Sequence, residues 1–327
     1  MRYQRVAGAL LAVVGAACAC LPALAQTSDW PSRPMKWVVG FAPGGATDIV
    51  ARLMAAKYQE ILKQPVIVEN RAGAGGNTGA DAVAKSTPDG YTFLFAVNGL
   101  AISPSIYAKL PFDPDTDLVR VTNFVSLANI LISSNKLEAK TLAELVALAK
   151  AKPGALNYGS SGVGNSLHLT MEVFKRETQT DIVMVPFRGD APLLQAMMSG
   201  DVQLAVVPAP AARPHITAGS VRALGVSTLR RIPTMPDVPS LAEQGVKDFD
   251  LQGWMGIFAP RGIPREIVMR MVEVGKQALA SPDMQPKLAA LDLVPLGSTP
   301  EEFETLWRAD RERFARVVKD AKIPKQE

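Results

Sequence analysis

Four loops hold most of the residues able to do chemistry, and each follows a short apolar or β-branched run. The first reads Phe41-Ala42-Pro43-Gly44-Gly45-Ala46-Thr47-Asp48 and leads into a helical pattern. Its glycines let backbone N–H groups approach a ligand closely, and Thr47 is placed to cap the helix. Exposed N–H groups at a helix start favour an anion. A tight strand-to-helix turn with no ligand is the plainer reading of the same spacing. The second loop, Tyr158-Gly159-Ser160-Ser161-Gly162-Val163-Gly164-Asn165-Ser166-Leu167-His168, also joins a strand to a helix. Its hydroxyls and glycines suit carboxylate or phosphate oxygens.

Neither enzymatic motif that these loops suggest is complete. A nucleophile elbow needs G-x-S-x-G, and Gly159-Ser160-Ser161-Gly162 misses it by one residue. His168 would sit about half a turn into its helix, and with no partner carboxylate marked nearby it reads as structural, not as a base. The third loop, Arg71-Ala72-Gly73-Ala74-Gly75-Gly76-Asn77-Thr78-Gly79, resembles a dinucleotide fingerprint, but Thr78 stands where the last glycine belongs. Val97 and Asn98 stand where an acidic residue should end the next strand, so the fingerprint fails. The fourth loop is Phe187-Arg188-Gly189-Asp190, at a strand end before a helix. Arg188 there could clamp a carboxylate, and Asp190 could cap the helix, orient Arg188 or accept an ammonium group. No catalytic residue is assigned.

Metal chemistry is poorly supplied. The only histidines, His168 and His215, are far apart, and both cysteines, Cys18 and Cys20, fall in the N-terminal apolar segment. The spacing gives no zinc or iron site, and no cofactor is expected.

Strands and helices must alternate to position such loops, and they do. Strand patterns cover Lys36–Ala42, Val66–Asn70, Thr92–Val97, Asn129–Ser133, Leu156–Gly159, Ile182–Phe187, Val202–Val207, Arg222–Ser227 and Met255–Ala259. Helical patterns fill most gaps, among them Thr47–Ile61, Asn77–Lys85, Thr141–Lys150, Ser166–Glu177, Pro192–Ser199 and Pro264–Ala280. This alternation predicts an α/β architecture of mixed, mostly parallel sheets flanked by helices. Thr141-Leu142-Ala143-Glu144 and Thr299-Pro300-Glu301-Glu302 are capping boxes. The helix that the second box opens carries Phe303, Trp307, Phe314, Val317 and Val318 on one face, so it packs on a core.

The N-terminus sets the compartment. Arg2 and Arg5 precede an Ala-rich apolar run, and Ala23-Leu24-Ala25 is an A-x-A site. This predicts a signal peptide over 1–25 and a mature chain from Gln26, exported to the periplasm. Lipidation at Cys18 or Cys20 is the alternative. The chain has 35 basic and 31 acidic side chains; without Arg2 and Arg5 the count is 33 against 31. That balance, with no basic block, excludes a nucleic-acid footprint. The roughly 300 residues that remain suggest one large or two medium domains.

Seven blocks in order resemble the tripartite tricarboxylate transporter receptors, also called the Bug family. They are WPSRPMKWVVGFAPGGATDIVARLMA, VIVENRAGAGGNTGADAVAKSTPDGYTFLF, LPFDPDTDL, KPGALNYGSSGVGNSLHLTMEVFK, VPFRGDAPLLQAMMSGDVQL, GSVRALGVST and RIPTMPDVPSLAEQG. The resemblance implies a two-lobed periplasmic binding protein, lobe one comprising 26–122 plus 228–327 and lobe two comprising 123–227. It implies a small carboxylate (a di- or tricarboxylate, an amino acid or an aromatic acid) held in the cleft between the lobes. The ligand residues would come from Ala42, Pro43, Gly44, Gly45, Ala46, Thr47 and Asp48 on one side. From the other would come Ser160, Ser161, Gly162, Gly164, Asn165, Ser166 and His168, with Arg188, Gly189 and Asp190. A monomeric receptor serving two integral membrane transporter subunits is expected. The alternative is a periplasmic α/β hydrolase or transferase on the same loops.

The chain departs from the family pattern near that cleft. Ala72 stands for a frequent Pro, Asn165 for a frequent Ser, and Phe187-Arg188-Gly189-Asp190 for a usual Tyr-Lys-Gly followed by a small residue. Val207-Pro208-Ala209-Pro210 lacks the polar residue common after that strand. These departures bear on which ligand is taken.

Overall fold

The computed structural model describes residues 30–160, 164–187, 190–247 and 249–326. The expected signal peptide, Cys18 and Cys20 lie outside them, as do Ser161, Gly162, Arg188 and Gly189. Residues 33–327 form one compact unit.

The unit is built on two sheets. The first contains β1 (Met35–Val39), β2 (Val66–Asn70), β3 (Thr92–Val97), β4 (Leu118–Leu127), β10 (Gly253–Pro260) and β11 (Leu293–Pro295), in the order β11-β4-β10-β3-β1-β2. The second contains β5 (Asn129–Ser134), β6 (Asn157–Ser160), β7 (Val183–Pro186), β8 (Leu204–Pro208) and β9 (Val221–Val226), in the order β7-β6-β8-β5-β9. The helices are α1 (Ala46–Leu62), α2 (Asn77–Ala84), α3 (Gly99–Ile106), α4 (Leu142–Ala151), α5 (Ser166–Thr178), α6 (Asp190–Ser199), α7 (Ala209–Thr217), α8 (Arg265–Ala280), α9 (Met284–Ala290) and α10 (Pro300–Asp320).

Each sheet is mixed, but parallel pairing does not predominate. β1 pairs with β2 and β3 in parallel, and β6 with β7 and β8. β10 runs antiparallel to β3 and β4, β11 to β4, and β5 to β8 and β9. The reason is connectivity. Parallel neighbours need a crossover helix, which α1, α2, α5 and α6 supply, whereas β5 and β10 enter each sheet directly from the other.

Alternation along the central strands gives each sheet two buried faces. On one face of the first sheet, Trp37 stacks near Phe95 and Phe124, with ring centroids 6.1 and 6.0 Å away, and Tyr58 of α1 meets Trp37 edge-on at 4.8 Å. Val38, Leu94 and Phe258 point to the other face, where Phe303 and Trp307 of α10 cover them. The same helix then continues into the other core: Phe314, Val317 and Val318 pack with Leu131, Tyr158 and Phe174. Its start is the expected capping box, Thr299 Oγ1 accepting from Glu302 N and Glu302 Oε2 from Thr299 N.

The sheets also meet at a polar seam. Ala128 alone separates β4 from β5. Ser227 Oγ donates to Leu251 O at 2.7 Å and accepts from Asn129 N, so the outgoing and returning passages are stitched together.

Candidate ligand-binding cleft

The parallel strands of both sheets point their C-terminal ends at one cavity of about 320 Å³. This is where open α/β sheets place ligands, because the loops there lead into helix N-termini. The first residues or caps of five helices line it: Gly45–Thr47 of α1, Asn98–Gly99 of α3, Asn165–Ser166 of α5, Asp190 of α6 and Pro208 of α7. The walls between them are apolar, from Ile102 and Ile106 on one side to Leu167, Trp254 and Met255. Among the described residues, Asp190 is the one charged side chain that lines the cavity, and no Lys or Arg does.

The first loop is shaped by Asp48. Gly44 adopts φ +83° and donates its N–H to Asp48 Oδ2 at 2.9 Å. Arg52 Nε donates to the same oxygen at 3.0 Å, and Asn70 Nδ2 donates to Oδ1. The Arg52 hydrogen bond is the largest influence on this carboxyl and outweighs its burial, so its pKa falls to about 2. Asp48 is buried and is not among the residues lining the cavity; it fixes the turn. The expected Thr47 cap is corrected. Helix α1 starts at Ala46 with Gly45 as cap and no side-chain hydrogen bond, which places Thr47 inside the first turn and on the cavity wall. Ala42, Pro43 and Gly44 are exposed and do not line the cavity.

The second loop is held by His168. Its Nδ1 accepts from Gly164 N at 2.8 Å, and its own N–H donates to Asn165 Oδ1 at 2.8 Å, making Asn165 the cap of α5. The carboxylate partner that the sequence did not reveal is Glu172, one turn along α5, with Oε1 3.9 Å from His168 Nε2. Burial is the main influence on His168 and lowers its pKa; Glu172 opposes this and Lys175 reinforces it. With Nδ1 taken by a backbone donor, the ring has no lone pair to offer a hydroxyl. Gly164 has φ +74°, and a Cβ there would lie 2.7 Å from Ile106 Cγ2 of α3. Gly164, Asn165 and Ser166 line the cavity, whereas Ser160 is buried at the end of β6 and His168 lies behind the loop.

The remaining glycine loop has a role other than nucleotide binding. Gly40, just past β1, would place a Cβ 2.6 Å from Gly76 Cα, and a Cβ on Gly79 would lie 2.9 Å from Gly40 Cα. The glycines let α2 dock against the end of β1, and Gly75 reaches the cavity wall. Sequence reasoning missed Asn98, Gly99, Asn129, Pro208 and Trp254 as lining residues. Asn98 and Asn129 donate Nδ2 to Gln252 O and Leu251 O at 3.4 Å, tying both sides of the cavity to the returning passage.

Two lobes of mixed α/β sheet around a cleft lined by helix starts are the fold of a periplasmic binding protein. The profile described as "Tripartite tricarboxylate transporter family receptor" matches residues 50–323. Protein BugT of Bordetella pertussis is 35% identical over 315 residues, which are 95% of this chain and 97% of BugT. Among solved structures, "R. palustris Rpa4515 with adipate" superposes with a TM-score of 0.83 at 35% identity, covering 91% of this chain and 100% of that one. MatC from Rhodopseudomonas palustris with bound malate gives a TM-score of 0.78 at 32% identity, covering 88% and 100%. The chain belongs to the tripartite tricarboxylate transporter receptor family and is a solute-binding receptor.

Proposed function

We propose that this receptor takes a small carboxylate in the periplasm and delivers it to a transporter of two integral membrane subunits. The observation that carries the reading is the convergence of five helix starts on one largely apolar cavity. Backbone N–H groups there can bind an anion without a lysine or arginine. Each helix start contributes roughly 0.3–1 kcal/mol to a nearby charge when exposed, and up to ~2 when partly buried. The rest of the affinity comes from hydrogen bonds and from burial of the ligand's apolar portion as the lobes close. The adipate and malate bound by the R. palustris relatives are carboxylates and support the class.

In this reading the anchors are Gly45, Ala46 and Thr47 from one lobe and Gly164, Asn165 and Ser166 from the other. Asp48 and His168 act behind them. Lobe one is taken as 26–122 plus 228–327 and lobe two as 123–227; the run of β4 in the first sheet to Leu127 supports moving the first crossing towards Ala128. The receptor acts as a monomer.

The hydrolase or transferase alternative is disfavoured by the occupied Nδ1 of His168. Purified protein incubated with an excess of candidate acids and followed by proton NMR separates the two. Saturable 1:1 line broadening with no new product signals is expected; steady accumulation of product would overturn the receptor reading.

A further inference from the structure

The floor of the cavity accepts hydrogen bonds where its anchors donate them. Asn98 follows β3 and Asn129 opens β5, beside the passages between the sheets. Both line the cavity, although they are only 4% and 3% exposed. Each commits its amide N–H to the returning passage: Asn98 Nδ2 donates to Gln252 O and Asn129 Nδ2 to Leu251 O, both at 3.4 Å. A backbone carbonyl can only accept, so these bonds decide which way each amide is turned. What each side chain has left to offer is Oδ1, and among the described residues neither Oδ1 has a partner.

The surroundings do not supply one. Asn129 pairs across the ladder with Pro208, which has no N–H, and Leu127 lies just before it. Val97 and Met255, paired between β3 and β10, adjoin Asn98. Trp254 and Ser103 also line the cavity, but both already donate, Trp254 Nε1 to Asp310 Oδ2 at 2.7 Å and Ser103 Oγ to Gly99 O at 3.1 Å. A carbonyl oxygen in such apolar company is costly until a donor reaches it. A second carboxylate has no hydrogen to give. An ammonium group loses more hydration than neutral amide oxygens return, whereas a hydroxyl donates at little cost.

The geometry points to Asn98 and Asn129 as specificity-determining residues that accept from a hydroxyl on the solute. They select a hydroxy acid over its parent acid and over the matching dicarboxylate. This deepens the proposed function and rests on it.

The test is calorimetric titration of ligand-stripped protein with straight-chain acids of several lengths. Each length is supplied as the parent acid and with a terminal hydroxyl, amine or second carboxylate. At one length the hydroxy acid should bind tightest, by roughly three- to tenfold over the parent, the worth of one neutral hydrogen bond. In Asn98→Leu and Asn129→Leu that ratio should vanish or reverse, because the hydroxyl loses its partner. A ratio taken within one variant cancels any general loss of anchoring. The two variants are measured separately, with thermal unfolding to verify folding, so either one alone decides the matter. A parent, amino or dicarboxylic acid that binds tightest at every length would overturn the assignment, as would an unchanged ratio in both variants; the receptor reading would stand. Binding of none of the acids would overturn both.

Discussion

His168 connects solvent pH to the shape of a ligand loop. Its Nδ1 accepts from Gly164 N, so protonating that nitrogen would set a donor against a donor. Burial lowers its pKa from 6.5, and the charges facing it are Glu172 and Lys175 on its own helix, with the Tyr158 ring against it from β6. A histidine lowered in the folded state takes its proton later than in the unfolded chain. Its contribution to stability is therefore full above about 6.5 and declines as pH falls below that value. Ligand affinity should fall with stability as the pH drops below about 6.5. His168→Gln, which keeps an acceptor near Gly164, should flatten that dependence; calorimetry across this range checks it, and an unchanged slope would show that another group titrates. At this scale the sequence identified residue types better than roles. Asp48 and His168 were expected to touch ligand; neither lines the cavity, and both hold the loops by hydrogen bonds. Each accepts from a loop backbone N–H, Gly44 for Asp48 and Gly164 for His168, which no side-chain pattern reveals.

The elements missed in the sequence are the ones that complete the cleft. α3 reads GLAISPSI and α7 reads APAARPHIT, and their Gly99, Pro104, Pro210 and Pro214 argue against helix. Tertiary packing overrides that: Leu100, Ala101 and Ile102 are buried, as are Ala209 and Ala212. By contrast α1, α5 and α10 were legible from their periodicity, and α10 also from its capping box. β4 escaped notice because Arg120, Thr122 and Asn123 interrupt its apolar pattern, although all three are buried in the fold. The glycine loop was read only as a failed dinucleotide fingerprint; its close approach to Gly40 was not legible. Gly40→Ala should therefore force α2 away from β1 and cost about 1–3 kcal/mol of stability by overpacking. Because Gly75 rides on the same loop, ligand affinity should weaken too. Denaturant unfolding and titration of the variant measure both; wild-type values for each would mean that the contact relaxes freely.

For the whole molecule, the order of the blocks along the chain carried the fold, since seven in register leave little freedom in topology. What the order could not reveal is how the lobes are joined. α10 buries Phe303 and Trp307 in one core and Phe314 in the other, and the Asn129–Ser227–Leu251 seam binds the passages between sheets. The central claim is that backbone N–H groups at helix starts hold a carboxylate in the cleft. The most direct test is calorimetric titration of ligand-stripped protein with each carboxylate that binds and with its neutral primary amide, which matches it in shape but not in charge. The account predicts that the amide binds at least roughly tenfold more weakly, the equivalent of about 1.4 kcal/mol of lost charge-assisted hydrogen bonding. Equal affinity for acid and amide would contradict it.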